Sequence, residues 1–158
     1  MDRDQLEQRA RAPVAQCLIR QLLVPKLYFG APWPGGDQRV DLLAIDRAGV
    51  GDVHIVEVKF EAARALQAIP QLLAVPAQYR WIAFFHETVD NTVEPELMSR
   101  RALYPQSGMG RVGVIEVVRM AGDDLGANVL VRPERFPGSS RPEVSRLLET
   151  VPPDIQFD

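Results

Sequence analysis

Hydrophobic and polar positions along the chain alternate with two periods, and the changes from one to the other mark out the elements. Over residues 3–23, Leu6, Ala10, Pro13/Val14, Cys17/Leu18 and Leu22 recur at three-to-four spacing, while Arg3, Glu7, Arg11 and Arg20 lie mostly off that stripe. This predicts an amphipathic helix that Pro13 bends or divides. Val24–Phe29 reads as a short strand, and residues 30–36 (Gly-Ala-Pro-Trp-Pro-Gly-Gly) as a loop by their breakers. Arg39–Ile45 and Val53–Phe60 are the clearest strands, joined by a turn over 46–52. Glu61–Val75 is expected to be helical, with Ala62, Leu66, Ile69 and Leu73 on one face. A further strand runs from about Tyr79 through Phe85, and a polar, partly helical segment follows to Leu103. Arg111–Val118 and Asn128–Arg132 are expected to form a second hairpin. Residues 141–150 suggest a short terminal helix.

The order α-β-β-β-α-β, followed by more strands, implies an α/β domain with a mixed sheet. The expectation is one domain over 1–150 and a Pro-containing tail over 151–158. The two clear strands are apolar on both faces: Val40, Leu42 and Ala44 on one, Leu43, Ile45, Val53 and Ile55 on the other. Strands of that kind are covered on both sides by helices.

Inside the second strand, Glu57 and Lys59 interrupt a β-branched run, and alternation puts both on the face of Ile55. A hairpin centred on Gly49 opposes Val53 to Ile45 and Glu57 to Asp41. Directly opposed residues have Cβ atoms roughly 4.5–5.5 Å apart. Two carboxylates and one ammonium then converge on one patch, whereas a slip of one residue would turn Asp41 to the other face. Neighbouring carboxylates resist ionising together. A hard divalent cation, Mg²⁺ or Mn²⁺, relieves that conflict while leaving positions for water and a phosphate oxygen. Lys59 would orient the attacking water, help deprotonate it, or stabilise developing negative charge. The reaction this chemistry points to is phosphodiester hydrolysis.

Val40-Asp41, a sixteen-residue step, then Glu57-Val58-Lys59 resembles the PD-(D/E)xK nuclease superfamily, with Val40 in place of its Pro. The resemblance spans residues 3–85 in element order. It implies a restriction-endonuclease-like mixed central sheet flanked by helices, an αβββαβ core. It also implies a metal-dependent nuclease acting on DNA, with Asp41 and Glu57 as metal ligands and Lys59 as the catalytic amine. The family often adds an acid from the first helix, for which Glu7 is the matching position, and a polar residue from the helix after the lysine. Gln67 and Gln71 lie one turn apart there and form a polar stripe with Arg64. Val75 stands where the Tyr of a Gln-x-x-x-Tyr pattern would be. The alternative is a non-catalytic member of the same fold, serving as a binding or assembly module in a repair, mobile-element or defence complex.

Charge and composition narrow the partners. The formal net charge of −3 argues against broad, nonspecific coating of nucleic acid. Sixteen of the eighteen basic residues are Arg, so Lys59 is one of only two lysines, the other being Lys26. A domain this small has little room for a separate sequence-reading module, so a nuclease of this kind would recognise structure or ends, act as a homodimer, or depend on a targeting protein. No apolar run approaches the roughly 18 residues of a membrane span. The single Cys17 excludes an intrachain disulfide, and the cytoplasm is the expected location. His54 is expected to pack away from the site. Asp37, Asp46 and Asp52 read as turn residues, and Tyr28, Phe29 and Trp33 as loop packing or a stacking surface for an unpaired base.

Overall fold

The computed structural model describes residues 2–23, 25–32, 39–46, 51–85, 93–106, 109–137 and 151–156. Trp33, Asp37, His86, the turn centre at Gly49 and the expected helix over 141–150 lie outside them. The chain forms an α/β domain whose seven strands make one mixed sheet in the order β6-β5-β4-β3-β2-β1-β7. The elements are α1 (Arg3–Ile19), β1 (Lys26–Pro32), β2 (Arg39–Ile45), β3 (Val53–Lys59), α2 (Ala62–Leu73), β4 (Tyr79–Phe85), α3 (Val93–Leu97), α4 (Arg100–Leu103), β5 (Gly113–Arg119), β6 (Leu125–Val131) and β7 (Ile155–Gln156). No helix among the described residues is long and apolar enough to cross a membrane.

α1 starts at a capping box, in which the Asp2 side chain accepts the Gln5 N–H and the Gln5 side chain accepts the Asp2 N–H. It runs through Pro13 as one helix rather than two. Its stripe, including Leu6, Ala10, Val14 and Leu18, packs on one face of the sheet against Leu42, Ala44, Val56 and Val58. Cys17 is buried in the same layer. α2 covers the opposite face with Ala62, Ala65, Ile69 and Leu72, packed on Leu43, Ile45, Val53 and Ile55. The buried face of α2 is therefore turned slightly from the expected one, and Leu66 and Leu73 sit at its margin.

β3, α2 and β4 form a crossover unit, with β3, β4 and β5 parallel and the outer pairs antiparallel. β4 is buried along almost its whole length, as a central strand covered on both sides must be. Its Arg80 is nevertheless charged. The guanidinium lies over the Phe136 ring and donates to the Leu72 and Val75 carbonyls, both at 2.9 Å. These carbonyls belong to the C-terminal end of α2, where helical partners run out and a cation is favoured.

Four expectations are corrected. β1 does not stop at Phe29. It continues to Pro32 because Gly30 adopts φ +57 and carries the strand past the apparent loop signal. The segment read as a tail returns to the sheet: Ile155 and Gln156 pair with Leu27 and Lys26, and Asp154 accepts the Phe29 N–H. Val40 does not share a face with Leu42 and Ala44. It packs on the α2 side with Tyr28, Ala31 and Leu43. Both β1 and β2 switch faces at the Gly30–Asp41 level, the one level missing from their otherwise continuous ladder. In the second hairpin, β6 begins at Leu125, so the turn over Met120–Asp124 is tighter than expected.

Replacing Arg80 with Leu should leave the Val75 carbonyl without its guanidinium donor and take one donor from Leu72, at a net cost of about 2 kcal/mol after relief of the buried charge. Urea denaturation should show a lower midpoint with an unchanged slope.

A candidate metal centre where two strands part

The β2–β3 ladder pairs Ile45 with Val53, Ala44 with His54, Leu43 with Ile55 and Leu42 with Val56, the register expected for a hairpin centred on Gly49. It stops one residue short of Asp41. There the Asp41 carboxylate takes over: Oδ2 accepts the Val58 N–H at 2.8 Å. Oδ1 accepts from the Arg11 guanidinium at 2.9 Å. Arg11 comes from α1, the helix on the other side of the sheet, and passes beside Gly30. A Cβ on Gly30 would stand 3.3 Å from Arg11 Nη1. Glycine at this level thus permits both the left-handed φ and the passage of the guanidinium.

Glu57 and Lys59 project from the carboxyl end of β3, with Lys59 Nζ 3.5 Å from Glu57 Oε2. Asp41, Glu57, Lys59, Arg39, Val40, Gln71, Leu72 and Val75 line one cleft of about 430 Å³. Burial, reinforced by the neighbouring Asp41 carboxylate, pushes the Glu57 carboxyl up to about 7, against the opposing pull of Lys59. The Glu57 side chain is only 14% exposed. Burial and the Asp41 carboxylate thus both favour the protonated form of Glu57.

The remaining expected site residues divide. Gln71 lines the cleft from α2. Gln67 lines an adjoining space with Lys59, Arg64 and Gln71. Glu7 is outside the cleft, its Oε1 accepting the Phe60 N–H at 2.8 Å just beyond β3. Arg39 lines the cleft while its guanidinium donates to the Gly30 carbonyl. Val75, in place of a tyrosine, closes one wall and is buried. His54 is packed in the α1-side layer, stacked on Tyr79 at 4.4 Å and accepting the Trp81 indole N–H at Nδ1. Burial lowers its pKa to about 4.

Arg11 is the residue the sequence reading passed over. It stands four positions after Glu7, so the two share a helix face. That spacing was the available signal: both residues reach the end of β3 that carries Glu57 and Lys59. Its Nε is buried without a hydrogen-bond partner among the described residues, so the guanidinium is committed to Asp41 by one nitrogen.

For metal binding, the donors facing the cleft are hard carboxylate oxygens. Two are enough for a Mg²⁺- or Mn²⁺-type ion that completes its shell with water and substrate phosphate. Among the described residues no group of three or more His, Cys, Asp and Glu side chains is placed to hold a metal ion. The residues fit an open two-carboxylate centre and not a closed protein cage.

Two measurements test this geometry. Glu57 has a folded pKa above its ordinary 4.5, so the folded state binds the extra proton and stability should fall as pH rises from about 4.5 to 7. His54 has a folded pKa below its ordinary 6.5, so it contributes a rise between about 4 and 6.5. The slopes oppose one another, and Glu57→Gln should unmask the rise and make the protein more stable at pH 8 by on the order of 3 kcal/mol. Urea midpoints from pH 4 to 8 that are parallel in both proteins would contradict the assignment. Gly30→Ala should cost about 1–2 kcal/mol through its positive φ, read as a lower melting temperature.

No protein-family model matches the chain, and no curated protein matches it in sequence.

Proposed function

We propose that the protein is a Mg²⁺- or Mn²⁺-dependent nuclease with a restriction-endonuclease-like, PD-(D/E)xK-type core, hydrolysing phosphodiester bonds of DNA. The observation that carries this reading is the meeting of Asp41, Glu57 and Lys59 in one cleft where β2 and β3 part. Asp41 and Glu57 would hold the ion. Val58 N–H and Arg11 fix the Asp41 carboxylate, as hydrogen bonds commonly orient a ligating carboxylate. When bound, the ion polarises the phosphate and lowers the pKa of a coordinated water. Lys59 presents its ammonium beside Glu57, where it can orient the attacking water and stabilise charge gathering on the phosphate oxygens. Gln71, from the cleft wall, has an amide that can hydrogen-bond water or a phosphate oxygen. Cytoplasmic action, as a homodimer or through a targeting partner, belongs to the same proposal.

A second reading has its own support. Both Asp41 oxygens are already engaged by protein donors, and Glu7 stays outside the cleft. A non-catalytic binding or assembly module would keep these contacts permanently.

Incubation with Mn²⁺ and single-stranded, duplex or branched DNA separates the two. The nuclease reading expects cleavage that falls at least 100-fold in Lys59→Met and in Asp41→Asn, a variant whose side chain still accepts the Val58 N–H. It also expects Mn²⁺ to raise the melting temperature of the wild type and not of Glu57→Gln. Absence of cleavage above the variants, together with no Mn²⁺ effect, would favour the assembly module.

A further inference from the structure

Beside the acid cleft lies a second one of about 200 Å³, lined by Lys59, Arg64, Gln67, Ala68 and Gln71. The two share Lys59 and Gln71 as a common wall. Their chemistry differs. The first holds two carboxylates, whereas no acid lines the second, whose polar side chains end in ammonium, guanidinium and amide groups. Arg64, Gln67 and Gln71 stand at i, i+3 and i+7 on α2 and form one exposed stripe. Arg3, Arg11 and Arg39 around the site are tied to Glu61, Asp41 and the Gly30 carbonyl. Arg64, Gln67 and Gln71 engage no side chain or carbonyl in this way among the described residues. A guanidinium offers a planar fork of donors that matches phosphate oxygens, and amide N–H groups can complete the shell.

We propose that this second cleft is a phosphate subsite: it seats the backbone phosphate next to the one cleaved in the acid cleft. The preferred substrate is then a polynucleotide strand running along α2 and not an isolated phosphodiester. This inference rests on the nuclease reading. Successive phosphates on a strand are separated by a single nucleoside. A strand with one phosphate at Asp41 and Glu57 must place its neighbour in an adjoining space. On the α2 side, the adjoining space is the one free of carboxylates. Lys59 lines both clefts, so its charge serves both phosphates.

The test compares wild type, Arg64→Gln and Arg64→Lys on a short oligonucleotide and on bis(p-nitrophenyl) phosphate, which carries a single phosphate, all with Mn²⁺. Arg64→Gln should lower kcat/KM for the oligonucleotide about tenfold, mainly through KM, and lower it for the small diester by a clearly smaller factor. Arg64→Lys should recover part of the loss, and the salt dependence of oligonucleotide binding should shrink by about one phosphate contact in Arg64→Gln. Equal losses on both substrates, or no loss on the oligonucleotide, would overturn the subsite. Should the wild type cleave neither, the nuclease reading fails, and inorganic phosphate titrated against the amide NMR signals of α2 decides the subsite alone. Shifts around Arg64–Gln71 that vanish in Arg64→Gln retain it, and their absence from the wild type removes it.

Discussion

The site depends on a side chain standing in for a strand. Where β2 and β3 cease to pair, the Val58 N–H would face a gap, and a buried donor left unmade costs about 1–3 kcal/mol. The Asp41 carboxylate accepts that hydrogen bond and so closes the ladder with a charged group instead of a backbone carbonyl. A carboxylate placed there brings a charge to the edge of an apolar sheet. Its compensation comes from the opposite layer, through Arg11 of α1. Strand divergence, the positive φ of Gly30 and the reach of Arg11 are thus one arrangement, and Glu57 and Lys59 inherit their surroundings from it.

The other wall of the cleft is α2, which follows Lys59 after only Phe60 and Glu61. Glu61 does not cap this helix with its side chain but pairs with Arg3 of α1. The far end is held by Arg80 through the carbonyls of Leu72 and Val75, and Leu72 and Val75 are themselves cleft residues. The helix that presents Gln71 is therefore fixed by contacts to elements on both sides of it. The site lies at the carboxyl end of β3, next to a parallel neighbour on one side and an antiparallel one on the other. Ends of that kind leave crevices in open α/β sheets.

Much of this was legible because it rests on a period of two. Alternation alone places Glu57 and Lys59 on one face, and a hairpin centred on Gly49 gives the ladder's register as far as Leu42 and Val56, one pair short of Asp41 and Glu57. The long apolar runs of β2 and β3 likewise announce strands covered on both sides. What escaped depends on contacts distant in sequence or on backbone freedom. Gly-Ala-Pro reads locally as a loop, yet β1 passes through it since Gly30 takes φ +57. The face switch of Val40 follows from the same glycine across the ladder, a dependence no alternation rule contains. Ile155 and Gln156 gain strand geometry only by meeting Leu27 and Lys26, more than a hundred residues away. Arg11 looks like an ordinary solvated helix residue until α1 is laid on the sheet.

The charges in the cleft carry the argument for a cation one step beyond proximity. Arg11 and Lys59 supply two positive charges against Asp41 and Glu57, so the formal count already balances. Glu57 nonetheless holds its proton up to about 7, since burial leads the causes and Asp41 adds to it. Balance by count is therefore not balance in energy: Arg11 reaches Asp41 from the α1 layer and Lys59 stands beside Glu57, yet burial and the neighbouring carboxylate still hold the Glu57 pKa up. On the nuclease reading, a divalent ion held by the two acids would supply the charge that displaces this proton. A purely structural ion-pair network would have no need of this: two carboxylates set beside each other and facing an open cleft make each other harder to ionise. The same crowding that makes the pair costly in a module for assembly would have a use in the proposed centre, where a proton could give way to a metal ion.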